Sequence, residues 1–187
     1  MLKACEQVIN ERGYASATIK RICAASGASP SSIYWMFSSK DELILAVLAE
    51  AWMNWASSLE GSMRAHRSRT RNGRFAVLLA HELEYATTNP TSLAIGYAVA
   101  LTRETGDETI WREFRRQMRA TEHRLLAALQ DAHEADLSDR PGLLLIRMLL
   151  AVRDGLYLSR QIDSPPWSLG GFARLLDTVA AGHLGST

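Results

Sequence analysis

The sequence has little of what several large classes of protein require. Only two cysteines occur among its 187 residues. Both, Cys5 and Cys23, lie at apolar positions of helical patterns, so we expect no disulfide framework and a reducing, cytoplasmic environment. No run of about 18 apolar residues occurs, so no segment is expected to span a membrane. The net charge is only +1, and any affinity for nucleic acid must therefore come from a local patch.

Signatures of catalysis and of metal binding are also missing. The sequence contains no glycine-rich phosphate loop and no Ser–His–Asp or Cys–His spacing that would mark a nucleophile. His81, Glu82, Glu84 and His123 come nearest to a metal site, but no cysteine or further histidine completes a tetrahedral set. We therefore predict that the protein is not an enzyme and holds no metal or other cofactor.

What is present is helical spacing of apolar residues throughout, without alternating strand patterns, and this predicts an all-α fold. The helices are expected at about 2–12, from 18, from 29, from 39 to about 62, and at about 74–88, 91–103, 107–133, 141–161 and 167–183. A functional boundary is expected near residue 45, dividing the chain into residues 1–45 and 46–187. The long fourth helix would join the two parts.

The third predicted helix has two contrasting sides on a helical wheel. Three apolar residues share the side expected to pack on the first two helices: Ile33, Met36 and Phe37. Three others share the opposite, exposed side: Ser31, Tyr34 and Trp35. A solvated surface helix normally shows lysine, glutamate and glutamine there. Serines instead allow a second surface to come close, and the two rings can donate hydrogen bonds or lie against sugars and base edges.

A helix, a short turn and a second helix with an exposed contact face is the geometry of a helix-turn-helix, whose second helix enters the DNA major groove. The local charge agrees, because the stretch from Arg12 to Lys40 carries four cations and no acidic residue. Phosphate contacts dominate affinity for DNA. Two alternatives stay open at this point: a helical adaptor that binds protein through Tyr34 and Trp35, and, less favoured, a small helical enzyme.

The stretch GYASATIKRICAASGASPSSIYWMFSSKDEL resembles the DNA-binding segment of TetR-family transcriptional regulators. The matching positions follow the family pattern without gaps over roughly residues 2–48: Gly13-Tyr14, Thr18-Ile19, Ile22-Cys23, Ser26-Gly27-Ala28-Ser29, Ser32-Ile33-Tyr34, Met36-Phe37, Ser39-Lys40 and Leu43. Three departures are mild. Cys23 and Ser26 stand where alanine is usual, and Met36 stands where an aromatic residue is usual.

The resemblance implies a role for each matched position. Tyr34 and Lys40 are expected to bind phosphate, and Thr18 resembles a phosphate-contacting cap. Trp35 is expected to supply sequence preference through apolar contact with a thymine methyl group. The complete predicted DNA-binding set is Thr18, Lys20, Ser29, Pro30, Ser31, Ser32, Tyr34, Trp35 and Lys40.

For the larger half, the resemblance implies an all-helical core that binds an effector and forms a homodimer. A hydrophobic or aromatic effector is expected, with this candidate lining: Trp52, Trp55, Phe75, Tyr85, Tyr97, Trp111, Phe114 and Met118. Two apolar stripes are expected at the dimer interface: Leu145, Met148, Leu149, Val152, Phe172, Leu175, Leu176 and Val179. The expected function is a ligand-responsive regulator, by family habit a repressor, that binds a palindromic operator in double-stranded DNA.

Overall fold

The structure, a computed structural model, describes residues 1–66, 70–102 and 108–162. All regular elements in these ranges are helical, which confirms the predicted all-α class. The α-helices are α1 (Leu2–Arg12), α2 (Ile19–Ser26), α3 (Pro30–Met36), α4 (Lys40–Ala65), α5 (Arg71–Thr88), α6 (Thr91–Thr102), α7 (Glu108–Gln130) and α8 (Arg140–Ile162), with a 3₁₀ turn at Tyr14–Ser16. The helix predicted at 167–183 lies outside the described residues. Within them, no helix is long and apolar enough to cross a membrane.

The two short helices α2 and α3 begin at the predicted caps. The Thr18 hydroxyl accepts a hydrogen bond from the backbone N–H of Arg21, and the Ser29 hydroxyl accepts one from Ser32. Each bond satisfies one of the N–H groups that the first turn of a helix leaves unpaired. Between the helices, Gly27 has φ +70°, a left-handed conformation that glycine adopts without steric cost. Gly27 therefore determines where α2 ends, and Ser29 determines where α3 begins.

The start of α4 differs in detail from a standard capping box, in which a serine caps the helix and a glutamate three residues later bonds back to the backbone N–H of that serine. Ser39 does accept from the backbone N–H of Glu42. The Glu42 carboxylate, however, reaches back one residue further than expected and accepts from both the backbone N–H and the hydroxyl of Ser38, at 2.7 and 2.6 Å. These two hydrogen bonds, the one from the hydroxyl first, lower the pKa of Glu42. The charged carboxylate therefore supports the turn that leads out of α3.

Two predicted boundaries in the larger half move by three residues. The helix α5 begins at Arg71, ahead of the expected 74, because the Thr70 hydroxyl accepts from the backbone N–H of Gly73 and caps the helix. The helix α7 ends at Gln130, before the expected 133, because Asp131 adopts φ 56° and turns the chain. A side-chain cap at Thr70 and a backbone turn at Asp131 thus set these two ends, which apolar spacing alone does not define.

The chain divides into two compact units. The first comprises Met1–Asn54 and Asn89–Met118, and the second comprises Trp55–Thr88 and residues from Arg119 onward. The helices α4 and α7 contribute to both. This division concerns packing, and the functional boundary near residue 45 stays a prediction.

One hydrophobic core runs through the first unit. It joins α1, α2, α3 and the first half of α4 to residues of α6 and α7. Its fully buried members include Ile22 and Ile33, together with Ile95 and Ile110. A polar contact adds to it: the buried Thr91 hydroxyl, at the start of α6, is hydrogen-bonded to Glu6 and Asn10 of α1. The first three helices therefore share their core with a distant segment of the chain that begins at Asn89.

The second unit packs α5 against α8 around a buried charge pair. The Glu82 carboxylate of α5 is 1% exposed and accepts from Arg153 of α8 at 3.0 Å. It also accepts from the indole N–H of Trp55 at 2.6 Å and lies 3.1 Å from Nδ1 of His81. Arg153 in turn donates to Asp154. Every oxygen of the buried carboxylate has a partner, as a buried charge requires.

Candidate nucleic-acid interface

The helix α3 is anchored by its inner side. Ile33 is completely buried, and Phe37, the residue after the helix, is half-buried against the core of the first unit. The helix α3 packs against α2, and α4 follows it in the chain after a short turn. Because the inner residues cannot turn outward without emptying core, the outer face of α3 has a fixed direction.

That outer face carries large side chains in solvent. Tyr34 is 54% exposed and Trp35 is 88% exposed. Burial of apolar surface favours a side chain by roughly 25 cal/mol for each Å², so a tryptophan left in water is unusual unless another molecule covers it. One expectation was wrong: Met36, expected to pack inward, is 54% exposed. It joins Trp35 on the outer surface of the last turn of α3.

The first turn of α3 presents a cluster of three serines. The Ser29 hydroxyl lies 2.8 Å from that of Ser31 and 2.9 Å from that of Ser32, and is hydrogen-bonded to both. All three side chains are exposed, as is Pro30. Because these side chains are small, another molecule could approach the backbone closely at the first turn of α3.

The cations of this region lie on the helices that flank α3. Lys20 and Arg21 are exposed on α2, and a guanidinium N–H of Arg21 donates to the Ser16 carbonyl. Lys40, the first residue of α4, is half-buried with its ammonium 5.1 Å from the centre of the Tyr14 ring. That contact holds the charge at the start of α4. The predicted phosphate ligands thus have ordered positions, and Thr18 is exposed at the start of α2.

The predicted effector-lining residues fall in both units, and three of the eight are buried while five are half-buried. In the first unit, Phe114 is buried, 6.0 Å from both the Tyr97 and Trp111 rings, while Trp52 and Met118 are half-buried. In the second unit, Trp55 and Phe75 are buried, and the half-buried Tyr85 stacks on His81 at 5.8 Å. The role of these eight residues in binding an effector stays a prediction.

A cleft does occur in the second unit, away from the predicted lining residues. It has a volume of about 390 Å³ and lies where α4 and α7 end and α5 begins. Its walls mix small apolar side chains with charges of both signs: Glu60, Met63, Arg64, Arg74, Ala127, Ala128, Asp131, Ala132 and His133. Arg74 is held there by hydrogen bonding to the Leu129 carbonyl. None of the eight predicted aromatic and methionine residues borders this cleft.

The helix α8 has the two-sided apolar character that its sequence predicted. Of the predicted interface residues, Met148 is 50% exposed, Leu145 and Val152 are half-buried, and Leu149 is buried within its own unit. The other four, from Phe172 to Val179, lie outside the described residues. A stripe of exposed residues lies on the side of α8 opposite its buried face, and its members are alternately four and three residues apart: Leu144, Met148, Ala151, Gly155, Leu158 and Ile162.

Several of these residues escaped the sequence analysis. Leu144 and Leu158 follow the alternating spacing of four and three residues that marks one face of a helix. That spacing could have identified them as exposed, but only once the buried face of α8 was known. The Glu82–Arg153 pair gave no signal, because a charge in an amphipathic helix is normally solvated and its partner lies 71 positions away. Met36 was misplaced because it is the last residue of α3, and Phe37, which leaves the helix in an extended conformation, packs against the core in its place.

These features define a class: an all-helical protein with an N-terminal helix-turn-helix, as in helical transcriptional regulators. The comparisons connect the N-terminal segment to a family. Residues 1–47 match the model of the bacterial regulatory proteins of the tetR family, which confirms the resemblance inferred from the sequence. The N-terminal segment is a TetR-family helix-turn-helix. No curated protein sequence matches the chain significantly.

Solved structures share the fold over nearly the whole chain. A transcriptional regulator from Rhodococcus sp. Rha1 has a TM-score of 0.74 at 17% identity, covering 97% of this chain and 94% of its own. A TetR transcription regulator from Haloarcula marismortui has a TM-score of 0.69 at 22% identity, covering 97% and 94%. The regulator FadR from Bacillus subtilis, solved in complex with stearoyl-CoA, has a TM-score of 0.72 at 15% identity, covering 96% and 95%.

Proposed function

We propose that the protein is a ligand-responsive transcriptional regulator that binds double-stranded operator DNA through α3. The observation that carries this proposal is the geometry of α3, whose buried Ile33 fixes a face on which Tyr34 and Trp35 stand in solvent. The family match over residues 1–47 supports it. In this function, α3 enters the major groove, and the cations beside it contact phosphate.

A salt titration tests the DNA-binding step. Affinity of the purified protein for duplex DNA should fall steeply with salt, because each phosphate contact releases counterions. Replacing Lys20 by alanine should lower the slope of log K against log salt by about one for each subunit bound. Arg119→Ala, an equal loss of charge on an exposed residue of the second unit, is the matched control. Binding that hardly responds to salt would favour the protein-adaptor alternative.

We propose that two copies bind a palindromic operator as a homodimer, with the outer stripe of α8 in the interface. The stripe repeats at intervals of four and three residues, the spacing with which one helix packs along another. Two subunits would place two copies of α3 in successive major grooves, about 34–36 Å apart. A charged substitution, Leu144→Glu, should dissociate the dimer in analytical ultracentrifugation, whereas Gln161→Glu, exposed on the same helix beside the stripe, should not.

Gly155→Ala gives a second test of the same interface, because it should stabilise an isolated subunit but weaken the dimer. A methyl group built on Gly155 meets no atom of the described chain within 4 Å. In an isolated subunit, Gly155→Ala would therefore stabilise α8 by up to about 1 kcal/mol. If a partner helix passes over Gly155, the added methyl group weakens association instead. A rise in the dimer dissociation constant supports the interface; tighter or unchanged association argues against it.

We propose a small hydrophobic or aromatic effector that releases the protein from DNA, so that the protein acts as a repressor. FadR, which shares the fold, is solved with stearoyl-CoA, and this supports testing acyl chains beside flat aromatic molecules. A ligand that binds the folded state raises its stability by RT ln(1 + [L]/Kd), about 2.7 kcal/mol at a concentration of 100 Kd. As the effector of a repressor, this ligand is expected to lower affinity for operator DNA, and the DNA should then lower affinity for the ligand by the same factor, because the coupling between two sites is reciprocal.

A further inference from the structure

We propose that α3 reads its half-site through thymine methyl groups, contacted by Trp35 and Met36, rather than through directional hydrogen bonds. This inference rests on the proposed DNA-binding function and specifies the DNA that it recognises. It follows from three properties of the outer face of α3. The face lacks the residue types that make paired hydrogen bonds to bases, its serine hydroxyls are hydrogen-bonded to one another, and its exposed apolar groups are adjacent.

The missing side chains are those that make paired hydrogen bonds to bases. Arginine and lysine recognise guanine, and asparagine and glutamine recognise adenine, through two hydrogen bonds to one base edge. None of these four residue types occurs between Ser26 and Ser39, a stretch that the structure describes completely. The nearest cations belong to α2 and α4. Of these, Lys20 is exposed on α2 and is predicted to contact phosphate, Arg21 donates to Ser16, and Lys40 lies over Tyr14.

The serines add little discrimination. Ser29, Ser31 and Ser32 are hydrogen-bonded to one another through their hydroxyls, and the Ser29 hydroxyl also accepts from the Ser32 backbone. A hydroxyl that remains available can donate or accept and therefore fits either member of a base pair. The cluster permits close approach, but it does not select a sequence.

Apart from the Tyr34 hydroxyl and the indole N–H of Trp35, the surface that remains to face a base is apolar. Trp35 is 88% exposed and Met36 is 54% exposed. They are adjacent in α3, about 100° apart around its axis, so they can reach neighbouring base pairs. In the major groove the C5 methyl group of thymine is the apolar feature that distinguishes one base from the others. Covering the indole and the thioether with methyl groups recovers the apolar surface that both expose in the free protein.

A selection from a random duplex library first gives the preferred operator, in which thymines should occupy the centre of each half-site. Each thymine is then replaced singly by deoxyuridine, which lacks only the methyl group. One or two positions per half-site should lose about fourfold in affinity, from about 0.8 kcal/mol for each methyl group removed from apolar contact. At these positions 5-methylcytosine paired with guanine should keep most of the affinity, whereas unmodified cytosine should not.

Three variants assign the contacts. Trp35→Ala and Met36→Ala should each abolish the difference between thymine and deoxyuridine at one position. Tyr34→Phe, the control, should lower affinity for both duplexes equally. Operators dominated by guanine or adenine contacts, or full affinity after every deoxyuridine replacement, would overturn the methyl readout and leave DNA binding intact. A protein that binds no duplex at low ionic strength would overturn the proposed function as well.

Discussion

The buried pair of Glu82 and Arg153 allows a sharp test of what holds the second unit together. Removing one partner of a buried ion pair leaves the other charge without compensation, at a cost of about 3–5 kcal/mol. Glu82→Gln keeps the shape of the side chain and an acceptor for Trp55. It removes the charge that Arg153 faces at 3.0 Å. We therefore expect Glu82→Gln to lower the unfolding free energy by about 3 kcal/mol, the lower end of that range.

The reciprocal change, Arg153→Met, fills a similar volume and leaves the Glu82 carboxylate buried with Trp55 and His81. It should cost about as much as Glu82→Gln. The double variant should be more stable than the sum of the two losses implies, by about 2 kcal/mol or more, because neither buried charge remains. The exposed pair of Glu60 and Arg124, whose side chains are 61% and 43% exposed, is the control: Glu60→Gln should cost about 0–1 kcal/mol.

The measurement is urea denaturation at pH 7 and a single protein concentration, since association would add to apparent stability. The reasoning would be refuted if Glu82→Gln cost less than about 1 kcal/mol, or if the two single losses were additive. Either result would mean that water reaches the pair and replaces the missing partner.

The same pair predicts how stability depends on pH. Burial by itself would raise the pKa of Glu82, but the hydrogen bond from His81, the charge of Arg153 and the hydrogen bond from Trp55 outweigh it and lower the pKa. A lowered folded pKa stabilises the protein above the unfolded value, 4.5, and this contribution is lost as pH falls through the folded value. The stability difference between the native protein and Glu82→Gln should therefore be full at pH 7 and shrink below about pH 4.5.

Further predictions concern a buried hydroxyl and two glycines. Thr91→Val should cost about 1–3 kcal/mol in urea denaturation, because it leaves Glu6 and Asn10 without their buried partner; no loss would show that water replaces the hydroxyl. Gly96→Ala should cost about 1–3 kcal/mol, because the added carbon overlaps the Phe114 ring. Gly61→Ala, with open space around it, should instead stabilise α4 by up to about 1 kcal/mol; equal effects of the two glycine changes would contradict the packing.

Local chemistry predicted local structure well. Thr18 and Ser29 were identifiable as caps because a side-chain oxygen at that position satisfies an unpaired N–H within three residues. Gly27 was identifiable as a turn because few other residues accept a positive φ. These interactions lie within the segment that forms them, so one sequence suffices to detect them. The helix order followed from the same kind of signal and is confirmed throughout the described residues.

Interactions between distant segments could not be predicted in this way. Thr91 lies 81 positions from Asn10 and 85 from Glu6, and its sequence context is that of an ordinary helix start. Its burial follows only from the packing of α6 against α1. The expected division near residue 45 followed from the extent of the DNA-binding motif. Such a motif identifies the residues that perform a function. It does not show which distant segments, here α6 and α7, pack against those residues to form the core.

The outer face of α3 shows how a local failure of prediction can carry functional information. The helical wheel placed Met36 inside because it shares a side with Ile33 and Phe37. An exposed methionine beside an exposed tryptophan is also unfavourable in water. In the structure, α3 ends at Met36, and Phe37, in extended conformation with φ −133°, takes the position next to the core. The chain thus uses one aromatic residue to close the core and leaves two apolar side chains outside it. A surface that is costly in the free protein is expected where a partner covers it, and α3 lies where a helix-turn-helix meets DNA.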